Sequence, residues 1–169
     1  AVAEATERAV AAMREAGAVV VDAEIPTEGQ WEDDELEVLL HEFKAGVERY
    51  LQQRQAPVRT LEDLIGYNRA HADRVMPHFG QELFEQAAAR GGLNAPEYIA
   101  ARSRARRLAG PEGIDAALRA QDLDVLVAPT TGVAWPIDLG GGDRFPGGSY
   151  GAAAVAGYPS LTVPMGHSD

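Results

Sequence analysis

The sequence predicts an α/β fold, a partial mixed β-sheet covered by helices, on three observations. Residues 125–128 and 161–163 are short apolar runs without the polar alternation of a half-exposed strand. Each run is closed by a proline, Pro129 and Pro164. A proline there removes a ladder donor and turns the chain outward, where open sheets collect their binding groups. At the other end, an alanine-rich helical pattern over residues 2–16 passes through Gly17 into the apolar run 18–21. Helix then strand across a glycine is a building unit of α/β proteins.

The elements between these runs read mainly as helices. After a turn at Ile25-Pro26, Asp33 or Asp34 is placed to cap a helix, with Glu35 and Glu37 near its positive end. Leu36, Leu39, Leu40, Phe43, Val47, Tyr50 and Leu51 recur at helical spacing and are expected to form one core stripe. Ala56-Pro57 ends it. Thr60 followed by Asp63 has the form of a capping box for the next helix, which Pro77 breaks near Met76. A helix over 81–90 stops at Gly91-Gly92. Another is capped by Asn94, with Pro96 in its first turn. Gly110-Pro111 is expected to separate it from a short helix over 114–120. The cluster Arg102, Arg104, Arg106 and Arg107 reads as a solvated face pairing with nearby acids rather than as an anion site.

Composition narrows the function. The 169 residues favour one domain, and 46% hydrophobic content supports a folded core. A net charge of −11 speaks against nucleic acid and against anionic membrane surfaces. No apolar run approaches the roughly 20 residues that span a bilayer. The absence of cysteine excludes disulfides and thiolate catalysis. A cytoplasmic location is expected, and the oligomeric state is left open.

The blocks Asp124-Val125-Leu126-Val127-Ala128-Pro129-Thr130 and 154–166 (Ala-Val-Ala-Gly-Tyr-Pro-Ser-Leu-Thr-Val-Pro-Met-Gly) resemble the C-terminal part of the amidase signature family, hydrolases of carboxamides. Glu42-Phe43-Lys44, Tyr50-Leu51, residues 60–65 and Asn68 are similar to the branch that includes peptide amidases. The resemblance implies that residues 1–169 are the C-terminal portion of a single amidase signature domain, with a helical insert at about 33–121. The Ser–Ser–Lys triad would lie before residue 1. A helical pattern beginning at once at the N-terminus and a chain stopping just after residues 161–163 fit a piece of a larger enzyme. In that enzyme a serine forms an acyl-enzyme while the second serine and the lysine move protons. No metal or organic cofactor is implied, the substrate is a small-molecule or peptide amide, and this chain by itself is expected to be inactive. The alternative is a non-catalytic scaffold or binding subunit, as among amidotransferase members.

No catalytic residue is assigned within the chain. Gly147-Gly148-Ser149-Tyr150-Gly151 matches G-x-S-x-G, but the glycine-rich residues before it cannot be the strand that a nucleophile elbow needs, and only His167 and Asp169 follow. Lys44, the sole lysine, lies in a helical pattern outside the family's catalytic segment. His71 and His78 are separated by Pro77 with no third ligand, so no metal site is predicted. The acidic run 32–35 lacks the spacing of a calcium loop. What remains is pocket lining. Thr130, Thr131, Trp135 and Asp138 follow Pro129, and Tyr150 opens a small-residue helix. Trp135 is expected to supply an apolar wall, with Thr130 or Asp138 bonding a polar group, and Thr130, Trp135 and Tyr150 sharing one concave surface.

Overall fold

The computed structural model describes residues 1–166. Its helices are α1 (Val2–Glu15), α2 (Glu32–Gln53), α3 (Leu61–Ala70), α4 (Ala72–Val75), α5 (Glu82–Ala88), α6 (Pro96–Ala109), α7 (Asp115–Ala120) and α8 (Gly151–Ala156). Two compact units are present, Trp31–Ala105 and Ala1–Gln30 with Arg106–Asp169. No helix among the described residues is long and apolar enough to cross a membrane.

The unit Trp31–Ala105 is built on Leu40, Leu61, Ile65 and Ala87, with Val47, Leu64, Phe84 and Ala88 packed around them. Full burial of a leucine contributes about 1.5–3 kcal/mol, so Leu40 and Leu61 are the main anchors. The capping box that opens α3 forms as the sequence predicts. The Asp63 N–H donates to Thr60 Oγ1 at 3.0 Å, and the Thr60 N–H donates to Asp63 Oδ2 at 3.1 Å. Gln81, at the start of α5, bonds Asn68 and the Ile65 carbonyl and so ties α5 to α3.

Helix α2 departs from expectation at both its start and its face. Its N-cap is Trp31, with no side-chain capping bond, and that indole is buried. Neither Asp33 nor Asp34 caps. Asp34 instead pairs with Arg104, so a buried indole rather than a capping carboxylate sets the entry of the chain. Of the expected stripe, Leu40 is buried, whereas Leu36, Leu39 and Tyr50 are exposed. The helix is turned so that His41, fully buried, enters the interior. Its ring nitrogens lie 3.1 Å from the Gly91 carbonyl and 3.0 Å from Glu37 Oε1, and these bonds offset the cost of placing a polar ring there.

In the other unit, Gly110-Pro111 does not stop the helical chain. A π-helical turn, Gly110–Ile114, leads directly into α7. Proline has no N–H and its ring collides with the carbonyl four residues back, and a widened turn accommodates both. The Leu108 carbonyl accepts from Thr27 Oγ1 at 2.6 Å, which ties the turn to residue 27. Glycine is required in this turn, because a Cβ on Gly113 would lie 2.5 Å from Leu108 O. Helix α8, whose Ala152 is buried, packs on the same turn.

The predicted strands at 18–21, 125–128 and 161–163 form no ladder among the described residues, where the pairing recorded outside helices is an isolated antiparallel bridge, Thr131 to Gly148. Val19, Val125, Val127, Leu161 and Val163 are exposed. A strand is defined by its neighbours' backbone bonds, and these runs do not supply them to one another.

Candidate functional site

The candidate site is the loop system that joins residues 125–128 to α8, all within one unit. Thr130 Oγ1 and Thr162 Oγ1 lie 2.9 Å apart, so the ends of the two proline-stopped runs meet. Residues 147–149 return against this point. Thr131 Oγ1 donates to the Gly147 carbonyl at 3.0 Å, and the Ser149 N–H donates to the Thr130 carbonyl at 3.2 Å. The Ser149 hydroxyl donates to the Pro129 carbonyl at 2.6 Å. The base of the 132–148 loop is thereby closed on both sides. Close approach needs glycine here: a Cβ on Gly132 would lie 2.6 Å from Pro146, and one on Gly148 would lie 2.9 Å from Thr130 O.

Further out, the loop organises itself. Asp138 Oδ1 accepts from the N–H groups of Gly140 at 3.0 Å and Gly141 at 2.8 Å. These backbone bonds, the one from Gly141 first, hold its carboxyl below the ordinary range. Asp138 is therefore an ionised turn-former. Trp135 meets Phe145 edge-on, with ring centroids 5.9 Å apart. Both rings stay substantially exposed, as do Ile137 and Leu139. Tyr150, half exposed, is the N-cap residue of α8, and Gly157 ends that helix in the left-handed conformation at φ 76°.

Of the five residues expected to bind substrate, Thr130 and Thr131 are brought together at the loop base, and Tyr150 follows directly on Ser149 there. Trp135 and Asp138 stand on the outer part of the loop. A recess of about 270 Å³ lies beside it, lined by Thr131, Gly132, Val133, Met165 and the start of α1. Ser149 is the residue that sequence reasoning left aside. Its G-x-S-x-G setting reads in the sequence as a turn leading into a small-residue helix, which does not locate the partner of the hydroxyl. The histidine and aspartate that follow it, His167 and Asp169, lie outside the described residues.

The sole lysine is also committed. Lys44 Nζ donates to the Ala88 carbonyl at 2.8 Å and the Arg90 carbonyl at 3.1 Å, and lies 3.5 Å from Glu62. Its ammonium satisfies carbonyls at the C-terminus of α5, where a cation is favoured. Of the arginine cluster, Arg104 pairs with Asp34 and Arg107 with Glu112.

No protein-family model matches the chain. A probable amidase of Arabidopsis thaliana is 30% identical over 164 residues, which are 92% of this chain and 30% of that protein. A putative amidase of Schizosaccharomyces pombe is 29% identical over 150 residues, 82% of this chain and 24% of that protein. Among solved structures, a peptide amidase in complex with the competitive inhibitor chymostatin is 61% identical with a TM-score of 0.92, covering 98% of this chain and 34% of that one. The native peptide amidase of Stenotrophomonas maltophilia is 59% identical with a TM-score of 0.89, covering 98% of this chain and 33% of that one. The chain thus spans about a third or less of the length of each relative it matches.

Proposed function

Because this chain belongs to the amidase signature family and shares the α/β fold of the peptide amidases, we propose that it is the C-terminal part of a carboxamide hydrolase whose Ser–Ser–Lys triad lies outside residues 1–169. The observation that carries this reading is the state of Lys44. The mechanism needs a lysine whose amine is free to relay a proton, and the sole lysine here directs its ammonium at two backbone carbonyls. Ser149, with its hydroxyl on Pro129 O, is likewise committed to structure.

In the whole enzyme a serine attacks the amide carbonyl, the amine or ammonia leaves with a proton relayed through the second serine and lysine, and water releases the acid. Backbone N–H groups hold the oxyanion. This chain supplies outer helices and one side of the substrate pocket, through Thr130, Thr131, Trp135, Asp138 and Tyr150. A peptide amide is the favoured substrate class, supported by 61% identity to a peptide amidase solved with a competitive inhibitor. That same likeness favours a hydrolase over the scaffold-subunit alternative. The test is ammonia release from a C-terminally amidated peptide by the full-length protein. Turnover that is lost with the triad lysine supports the reading, and absence of any amide hydrolysis sinks it.

A further inference from the structure

We propose that Ser149 is a positioning residue: through the Pro129 carbonyl it fixes the 132–148 loop so that the Trp135–Phe145 pair is held as an apolar wall for the acyl side chain of an amide substrate. The inference rests on the functional reading above for its substrate, but on geometry alone for the fixing. The loop is rich in glycine, with Gly142 at φ 78° and Gly147 at φ 87°. Such a segment has much conformational freedom to lose. Its large apolar side chains are exposed, so core burial does not order it. The Asp138 turn orders its outer part and the bonding at its base anchors it, and to that base Ser149 contributes twice, by its N–H to Thr130 O and its hydroxyl to Pro129 O. Both acceptors directly follow the apolar run 125–128, so the loop is referenced to that run. An alanine at 149 keeps the backbone bond and removes the hydroxyl bond. A threonine keeps both.

The test uses fluorotryptophan labelling and fluorine NMR of the protein. Trp31 is 2% exposed, in the other unit, and Trp135 is 40% exposed, so one probe is an internal control for the other. Ser149→Ala is expected to broaden the Trp135 resonance or move it towards its solvent-exposed position, to leave Trp31 unchanged, and to be reversed by Ser149→Thr. An unchanged Trp135 resonance in Ser149→Ala overturns the proposal, as does an equal change at both tryptophans. In the full-length enzyme, Ser149→Ala is expected to raise KM for a peptide amide with a bulky apolar acyl residue about fivefold while kcat stays within about twofold. KM for acetamide should not move. An equal rise for both amides overturns the substrate part. If the full-length protein hydrolyses neither amide, the functional reading falls, and the fluorine spectra still decide whether Ser149 fixes the loop.

Discussion

Thr130 and Thr162 meet hydroxyl to hydroxyl at 2.9 Å, joining the ends of two apolar runs that lie far apart in sequence. Each run is followed or closed by a proline that cannot donate to a ladder, so side-chain hydroxyls make the link that backbone N–H groups would otherwise make. If this contact holds the runs together, Thr130→Val and Thr162→Val should each destabilise the protein by about 0.5–1.5 kcal/mol, and the double variant by less than the sum. Denaturant midpoints of the four proteins measure the coupling. Strict additivity would mean that the two hydroxyls do not interact.

The unit Trp31–Ala105 should depend on Leu61 far more than on its cap. Leu61 is completely buried, and Leu61→Ala is expected to cost about 2–5 kcal/mol. Thr60→Ala removes the bond to the Asp63 N–H and should cost about 1 kcal/mol. Thermal or urea unfolding compares them, and a larger effect for Thr60→Ala would show that the capping box outweighs the core.

Glu37 makes stability pH-dependent. The hydrogen bond from Arg90 leads in holding its carboxyl below the ordinary value of 4.5. The Arg90 charge and His41 act in the same direction, and burial opposes them. A depressed folded value means that the unfolded state binds the proton more readily. The contribution of this group is therefore present above about 4.5 and is lost as pH falls through the folded value. Glu37→Gln should destabilise the protein at pH 7, with a gap from the parent that narrows in acid. Urea midpoints across that range check the sign, and a gap that widens in acid would contradict it.

Gly113 should tolerate no side chain. A Cβ there would lie 2.5 Å from Leu108 O and 2.9 Å from Thr27 Oγ1, within the π-helical turn. Gly113→Ala is expected to destabilise by about 1–3 kcal/mol through forced backbone displacement, whereas at Gly46, which has nothing within 4 Å, alanine should be neutral or stabilising. Circular dichroism melts of the two variants separate the cases, and similar behaviour would remove the steric argument.

What was legible in the sequence was local. The Thr60–Asp63 box spans three residues, and the start of α6 at Pro96 is set by the proline itself. The facing of α2 was not legible, because burying His41 depends on the Gly91 carbonyl, fifty positions away. The sequence predicts a break at Gly110-Pro111 because proline normally ends helices, whereas the widened turn is held by Thr27 from a distant segment. The apolar runs were visible as runs, but pairing is a property of neighbours, and no neighbour ladder exists among the described residues. At the site, proline stops pointed to Thr130 and Thr131. The role of Ser149 required knowing that Pro129 O stands within its reach. The turn built by Asp138 is legible in the sequence as an aspartate shortly before consecutive glycines.

The central claim is that the acylated serine lies outside this chain. Treating the full-length protein with an electrophilic ester of a peptide-like acid and mapping the adduct by mass spectrometry tests it directly. The expected result is a single acyl group on a serine outside residues 1–169, lost when that serine is replaced. An adduct on Ser103, Ser149, Ser160 or Ser168 would contradict the account.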